Sequence, residues 1–206
     1  MDVKEGEVYA AAQVHAAAMQ LIADVPQGSS VLELGCGSGT FLRDLTRCGY
    51  QVTGVDAQET AAGLSGVRFL RSDLEKPLPF DRSSFDAVVS IETVEHLWNS
   101  YGFLEEALRV LKPGGILVLS TPNIGSWVSR LTFLATGTFA AFRKRDYDII
   151  HHVTPIYPAS LLRWVKEKGC RCERIATNGV WIPYLKWRPK TDNLFLGQVV
   201  LFRIAK

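Results

Sequence analysis

An α/β fold with a mostly parallel sheet covered by helices on both faces is what this sequence predicts, and three observations predict it. Five apolar runs, VLEL, QVTGV, VRFL, DAVVSI and GILVLS, are short and almost uninterrupted, as strands buried on both faces must be. Most are separated by segments with room for a helix, the alternation of a parallel sheet. A glycine-rich turn stands directly between the first run and a helical pattern.

In chain order, YAAAQVHAAAMQLIADV carries apolar residues at helical spacing and stops at Pro26-Gln27-Gly28, so a helix comes first. Between GILVLS and the preceding strand, FLEEALRVL sets Leu104, Leu108 and Leu111 at i, i+4 and i+7, and Lys112-Pro113-Gly114-Gly115 ends that helix. After GILVLS comes NIGSWVSRLTFLATGTFAAFRKRDYDII, too long for a plain connection and therefore read as a functional insertion. The chain finishes with a helix, PASLLRWVKEKG, and two strands, CRCERIAT and LGQVVLFRIA. No helix separates these strands, so they can pair antiparallel. Residues 1–206 thus read as one domain, with a lid-like insertion over about 123–157 between the fifth strand and the last helix.

Composition narrows the function. With 206 residues, 47% of them hydrophobic, and a net charge of +2, the chain can bury a core and has no strong pull toward DNA. The opening residues are acidic and mixed, and no stretch is long and charge-free enough to span a membrane, so a cytoplasmic protein is expected. Cys36, Cys48, Cys170 and Cys172 lack zinc-site spacing and are expected as reduced thiols.

The chemistry begins at VLELGCGSGTFLRDL. Gly35, Gly37 and Gly39 at a strand-to-helix turn let the backbone bend sharply and a ligand approach closely. Asp56 closes the second run about 20 residues on, the spacing at which a carboxylate grips a ribose diol. Thr40 stands where a dinucleotide fingerprint has its third glycine, which disfavours NAD. Asp73 ends the third run, where it can accept a hydrogen bond from an adenine amino group; any of these acids can equally cap a helix.

At these motifs the chain resembles the class I S-adenosylmethionine-dependent methyltransferases over nearly its whole length. VLELGCGSG is similar to their glycine motif, Asp73 with Leu74 to their adenine-side motif, FDAVVSIETVEHL to their fourth strand and following turn, and ALRVLKPGGILVLSTPN to their post-motif helix and fifth strand. The resemblance implies a Rossmann-like, seven-stranded sheet with an antiparallel last strand. It also implies S-adenosylmethionine bound across Glu33, Gly35, Cys36, Gly37, Gly39 and Asp56, and across Ala57, Asp73, Leu74, Ile91 and Glu92.

Methyl transfer from a sulfonium chiefly requires alignment of donor and acceptor, and oxygen or nitrogen acceptors often also need a base. His96 in SIETVEHLWN, and His151 or His152 in YDIIHHVTP, are the candidates, and of these His96 and His152 are taken as the catalytic pair. Glu92, Glu95 and His96 are spaced i, i+3, i+4, so a helix starting there aims all three the same way. This E-x-x-E-H run resembles the metal motif of ubiquinone-pathway O-methyltransferases and of small-RNA ribose 2′-O-methyltransferases. That likeness implies a divalent ion at Glu92, Glu95, His96 and His152, although acids in a first helical turn are favoured by the helix dipole regardless of function. Tyr157 departs from the family, which has Ser or Thr there.

O-methylation of a small apolar or aromatic acceptor is therefore expected. The alternatives are a metal-assisted 2′-O or catechol-type transferase, an S-adenosylmethionine-binding protein without turnover, and an oxidoreductase binding NAD or a nucleotide sugar. The aromatic content of IGSWVSRLTFLATGTFAAF and VWIPYLKWRP points to a lipid-like acceptor or to packing of the lid. Phe139 and Phe142 beside Arg143, Lys144 and Arg145 suit contact with a membrane surface. The sequence leaves the oligomeric state open.

Overall fold

A computed structural model describes residues 13–206 apart from 62, 180–190 and 192. The run VWIPYLKWRP lies outside the described residues. Helix α1 (Val14–Leu21) is followed by β1 (Ser30–Leu34), α2 (Thr40–Arg47), β2 (Gln51–Asp56), β3 (Val67–Arg71) and β4 (Phe85–Ser90). A 3-10 turn (Val94–His96) and α3 (Ser100–Val110) lead to β5 (Leu111–Pro122). Then come α4 (Trp127–Thr136), α5 (Lys144–Ile150), α6 (Pro158–Glu167), β6 (Arg171–Thr177) and β7 (Val199–Ala205).

The seven strands lie in the order β3-β2-β1-β4-β5-β7-β6. Strands β1 to β5 are parallel, and β7 runs antiparallel to both β5 and β6, which is the expected seven-stranded sheet. Its apolar runs are continuous because each strand serves two cores. Val31, Val89 and Val118 pack with Val14, Ala18 and Leu21 of α1 and with Phe41, Leu42 and Leu45 of α2. Their neighbours Leu32, Val88 and Leu117 pack on the opposite face with Leu104 and Leu108 of α3 and Leu161 and Val165 of α6, as the two-residue period of a strand requires. Cys170 and Cys172 pack, half-buried, against this second core.

Two features differ from the simplest alternation. The links 57–66 and 72–84 hold no helix among the described residues; they contain Gly63 and Gly66, and Pro77 and Pro79, which break helical pairing. Strand β5 also starts before GILVLS, because Leu111 already pairs with Phe85 before the register shifts to Ala87 opposite Ile116.

Strand order reverses between β1 and β4, whose carboxyl ends open a crevice of the kind in which α/β sheets bind ligands. Arg203 of β7 ties the end of helix α1 to the sheet: it donates to the Leu21 carbonyl, makes a two-pronged contact with Asp24 just beyond the helix at 2.7 and 2.8 Å, and donates to Glu173 at 2.9 Å. That brace fixes where α1 presents His15.

Candidate active site

The chain leaves β1 through a turn that only glycine can make. Gly35 has φ +78°, and a Cβ there would collide with the Thr93 side chain. Gly37 has φ +49° with nothing within 4 Å of where a Cβ would stand, so the backbone is bare on its open side. Beside it lies a cavity of about 590 Å³. A larger groove of about 970 Å³ opens near the starts of the strands at Ser30, Gln51 and Phe85, away from the crevice and from any cluster of reactive groups.

Most of the residues singled out from the sequence come together on the cavity. Glu33, Gly35, Cys36, Gly37, Asp56 and Ala57 line it from β1, β2 and the glycine turn, and Asp73, Leu74, Ile91, Glu92, His96 and His152 line it from the following elements. Gly39 does not; it precedes α2 at φ +76° and packs on Leu64. The sequence reading missed His15, Ser38, Thr40, Phe41, Gln58, Thr93, Leu97, Ile149 and Ile150, which also line the cavity. His15 had a detectable signal: it adjoins Val14, which faces the core, so it lies at the edge of the buried stripe of α1.

Asp56 organises the turn. One carboxylate oxygen accepts the Gly37 N–H at 2.8 Å and the other the Gln58 N–H at 2.9 Å, which leaves half of its roughly four acceptor positions unused. Glu33 is buried, and its Oε2 has no hydrogen-bond partner among the described residues. Burial first, and then Asp56 and Asp44, push its carboxyl well above the usual range. Asp73 is exposed; the Glu75 N–H and Lys76, 3.4 Å away, hold its carboxyl below the usual range.

The turn after β4 is not the α-helix that the i, i+3, i+4 spacing suggested. Glu92 takes φ +47° and the chain then makes only the 3-10 turn. Glu92 bonds instead to β5: its N–H donates to the Ser120 hydroxyl at 2.9 Å, and that hydroxyl donates back to the Glu92 carboxylate at 2.9 Å. The groups that do meet are Glu95, His96 and His152, whose ligand atoms all lie within 4.8 Å of one another. Glu95 is fully buried, with neither oxygen hydrogen-bonded among the described residues. Burial and then the Glu92 carboxylate push its carboxyl well up. His152 Nδ1 lies 2.8 Å from the Ala141 carbonyl, which makes Nδ1 the protonated nitrogen and leaves Nε2, 4.0 Å from Glu95, with a free lone pair. His96 packs edge-on against His152 with ring centres 4.7 Å apart. Burial lowers both imidazoles below their ordinary value, so both are neutral at pH 7. Backbone closes the cluster, since the Val153 and Thr154 N–H groups both donate to the Glu95 carbonyl.

A family model described as a methyltransferase domain matches residues 32–119, the stretch holding the glycine turn, Asp56, Asp73 and the Glu92–His96 turn. Residues 32–119 are thus similar to a methyltransferase domain of the S-adenosylmethionine-dependent kind. The chain is 28% identical over 181 residues to the ubiquinone biosynthesis O-methyltransferase of Maricaulis maris, an alignment covering 84% of this chain and 68% of that protein. It is 36% identical over 126 residues to a "Probable S-adenosylmethionine-dependent methyltransferase" of Mycolicibacterium smegmatis, covering 58% of this chain and 46% of its relative. A solved S-adenosylmethionine-dependent methyltransferase of Archaeoglobus fulgidus has the same fold, with a TM-score of 0.69 at 21% identity over 94% of this chain and 93% of that one. The chain thus spans between about half and two thirds of the length of these curated relatives, and the family model stops short of the insertion. S-adenosylmethionine is the cofactor the family uses. The cavity fits it: the bare backbone at Gly37 gives close approach, and the unpartnered buried oxygen of Glu33 suits an ammonium group.

Proposed function

We propose that the protein transfers the methyl group of S-adenosylmethionine to an oxygen of a small apolar or aromatic acceptor. One juxtaposition carries this reading: the glycine turn with Asp56 shares a cavity with His96 and His152, and the same cavity has apolar walls at Leu97, Ile149 and Ile150. Asp56 would receive the ribose hydroxyls, Asp73 the adenine amino group and Glu33 the ammonium of the methionine end, and the cofactor so held would supply an activated methyl group to the acceptor oxygen and leave as a neutral thioether. The proton released by the acceptor hydroxyl passes to His96, which is neutral and beside the cavity. Alignment of donor and acceptor supplies most of the acceleration, on the order of 7–11 kcal/mol. The name of the Maricaulis relative supports oxygen as the accepting atom. The part of the insertion that carries Ile149 and Ile150 serves as the cover of the acceptor end.

A second reading, metal assistance, is favoured by the two unpartnered buried oxygens of Glu95. Glu95, His96 and His152 would hold the ion, and one carboxylate with two imidazoles suits Mn²⁺ or a similar cation. Such an ion supplies Lewis acidity that lowers the pKa of a hydroxyl. Transfer of labelled methyl to a panel of phenols, with and without chelator, tests both readings. Asp56→Ala should weaken cofactor binding at least tenfold in calorimetry, from lost hydrogen bonds of about 1.5–3 kcal/mol each. His96→Ala should lower kcat by about 10²–10⁴ with cofactor affinity kept. Cofactor binding without transfer to any hydroxylated acceptor would overturn the proposal in favour of a binding protein.

A further inference from the structure

Helices α4 and α5 leave their apolar residues uncovered. Among their described side chains only Ser129 is buried, while Leu131, Leu134 and Ile149 stand 56, 81 and 67% exposed. Short helices draw their stability from a buried face, so among the described residues this surface lacks its cover. It is continuous with the active site, because Ile149 and Ile150 are both exposed and part of the cavity wall. Phe133 stacked on Phe139 at 4.9 Å carries the apolar surface from α4 into the next loop.

The charge around this surface says what covers it. Residues 123–157 contain four basic side chains, Arg130, Arg143, Lys144 and Arg145, and two acidic ones, Asp146 and Asp148; four minus two gives +2, the net charge of the whole chain. Both acids are occupied, Asp146 by Arg143 and Asp148 by Lys144. Arg145 has no ion pair among the described residues. A second copy of the chain would set one face of charge +2 against another. No helix among the described residues is long and apolar enough to cross a membrane, so the segment can lie on a bilayer rather than span it.

We infer that this face docks on an anionic lipid bilayer, with Leu131, Leu134 and Ile149 entering the interface, the basic side chains at the headgroups, and the cavity opening toward the lipid. An apolar acceptor dissolved in the bilayer then reaches the cavity past Ile149 and Ile150. The direction of entry rests on the acceptor reading above; the docking itself does not.

The test is co-sedimentation of the full chain with vesicles of phosphatidylcholine alone and of equal phosphatidylcholine and phosphatidylglycerol. Binding is expected to the anionic vesicles and to fall as salt rises. It should weaken about fivefold in Arg145→Gln and about tenfold or more in Leu134→Ser. Both variants should methylate a water-soluble phenol as the parent does, which separates failure of docking from failure of the transferase reading. Absence of binding to either vesicle, or equal binding to both, would overturn the inference. So would a dimer in light scattering that Leu134→Ser dissociates, since a second copy would then be the cover.

Discussion

Replacing Glu92 with glutamine should stabilise the empty protein at pH 8 and leave it nearly unchanged at acid pH. Burial raises the Glu92 carboxyl from an ordinary 4.5 to about 7, against the partial relief of the Ser120 hydroxyl. At about 1.4 kcal/mol per pH unit, that rise corresponds to about 3 kcal/mol. Glu92 is open to the cavity on one side, and water there screens the charge, so about 2 kcal/mol is the working figure. The sign follows from proton binding. Between pH 4.5 and 7 the folded state still holds a proton that the unfolded chain has released, so stability falls as pH rises through that window and stays low above it. The amide introduced by Glu92→Gln has no proton to lose and keeps the hydrogen bond from Ser120. Urea unfolding of both proteins at about pH 5 and about pH 8 should show the gap opening in favour of the variant by roughly 2 kcal/mol. The same gap at both pH values, or a variant less stable at pH 8, would refute this account of the buried carboxylate.

Asp86 should behave in the opposite sense. Lys112 at 2.7 Å, with the Ser30 hydroxyl and N–H, holds its carboxyl down at about 2, so its contribution is complete above about pH 4 and lost as pH falls toward 2. Both side chains are more than a third exposed or nearly so, which limits the effect to about 1 kcal/mol; Asp86→Asn should flatten the acid limb of the stability profile by that amount, read by thermal unfolding against pH. For the insertion, amide exchange across α4 and α5 should slow when S-adenosylmethionine and acceptor bind together, while Val153 and Thr154, already bonded to Glu95, are slow from the outset. Full protection of α4 and α5 in the empty protein would make the insertion a fixed part of the fold.

What could be read from the sequence was whatever depends on local period and local backbone. Strands with two buried faces announce themselves as unbroken apolar runs, and Gly35 and Gly37 stand where the turn needs positive φ. Asp56 follows at the end of the adjacent parallel strand, a distance the fold fixes. Where the reading missed, spacing could not decide geometry. Glu92, Glu95 and His96 have helical spacing, yet a positive φ at Glu92 and a 3-10 turn break the face apart, and no residue type in ETVEH marks that break. His152, which the resemblance had set beside Glu95, reaches it from 57 positions away through the path of the insertion, which no period encodes. The Leu and Phe residues of α4 read equally as a sign of an apolar acceptor or as packing of the lid, and the structure leaves Leu131, Phe133 and Leu134 exposed.

Strand β7 lies inside the sheet, between β5 and β6, although it follows every other strand along the chain. Leu201, Phe202 and Ile204 fill both cores with no exposure. During synthesis the ribosome therefore releases five parallel strands whose β5 edge has no partner until the last hairpin emerges. At about 5–20 residues per second, the gap from Pro122 to Val199 leaves that edge open for about 4 to 15 seconds. An unpaired apolar edge is a template for aggregation. Growing polypeptides of this protein are exposed to chaperones, or to one another, for that interval, and a ribosome stalled within it would hold a chain whose sheet cannot close.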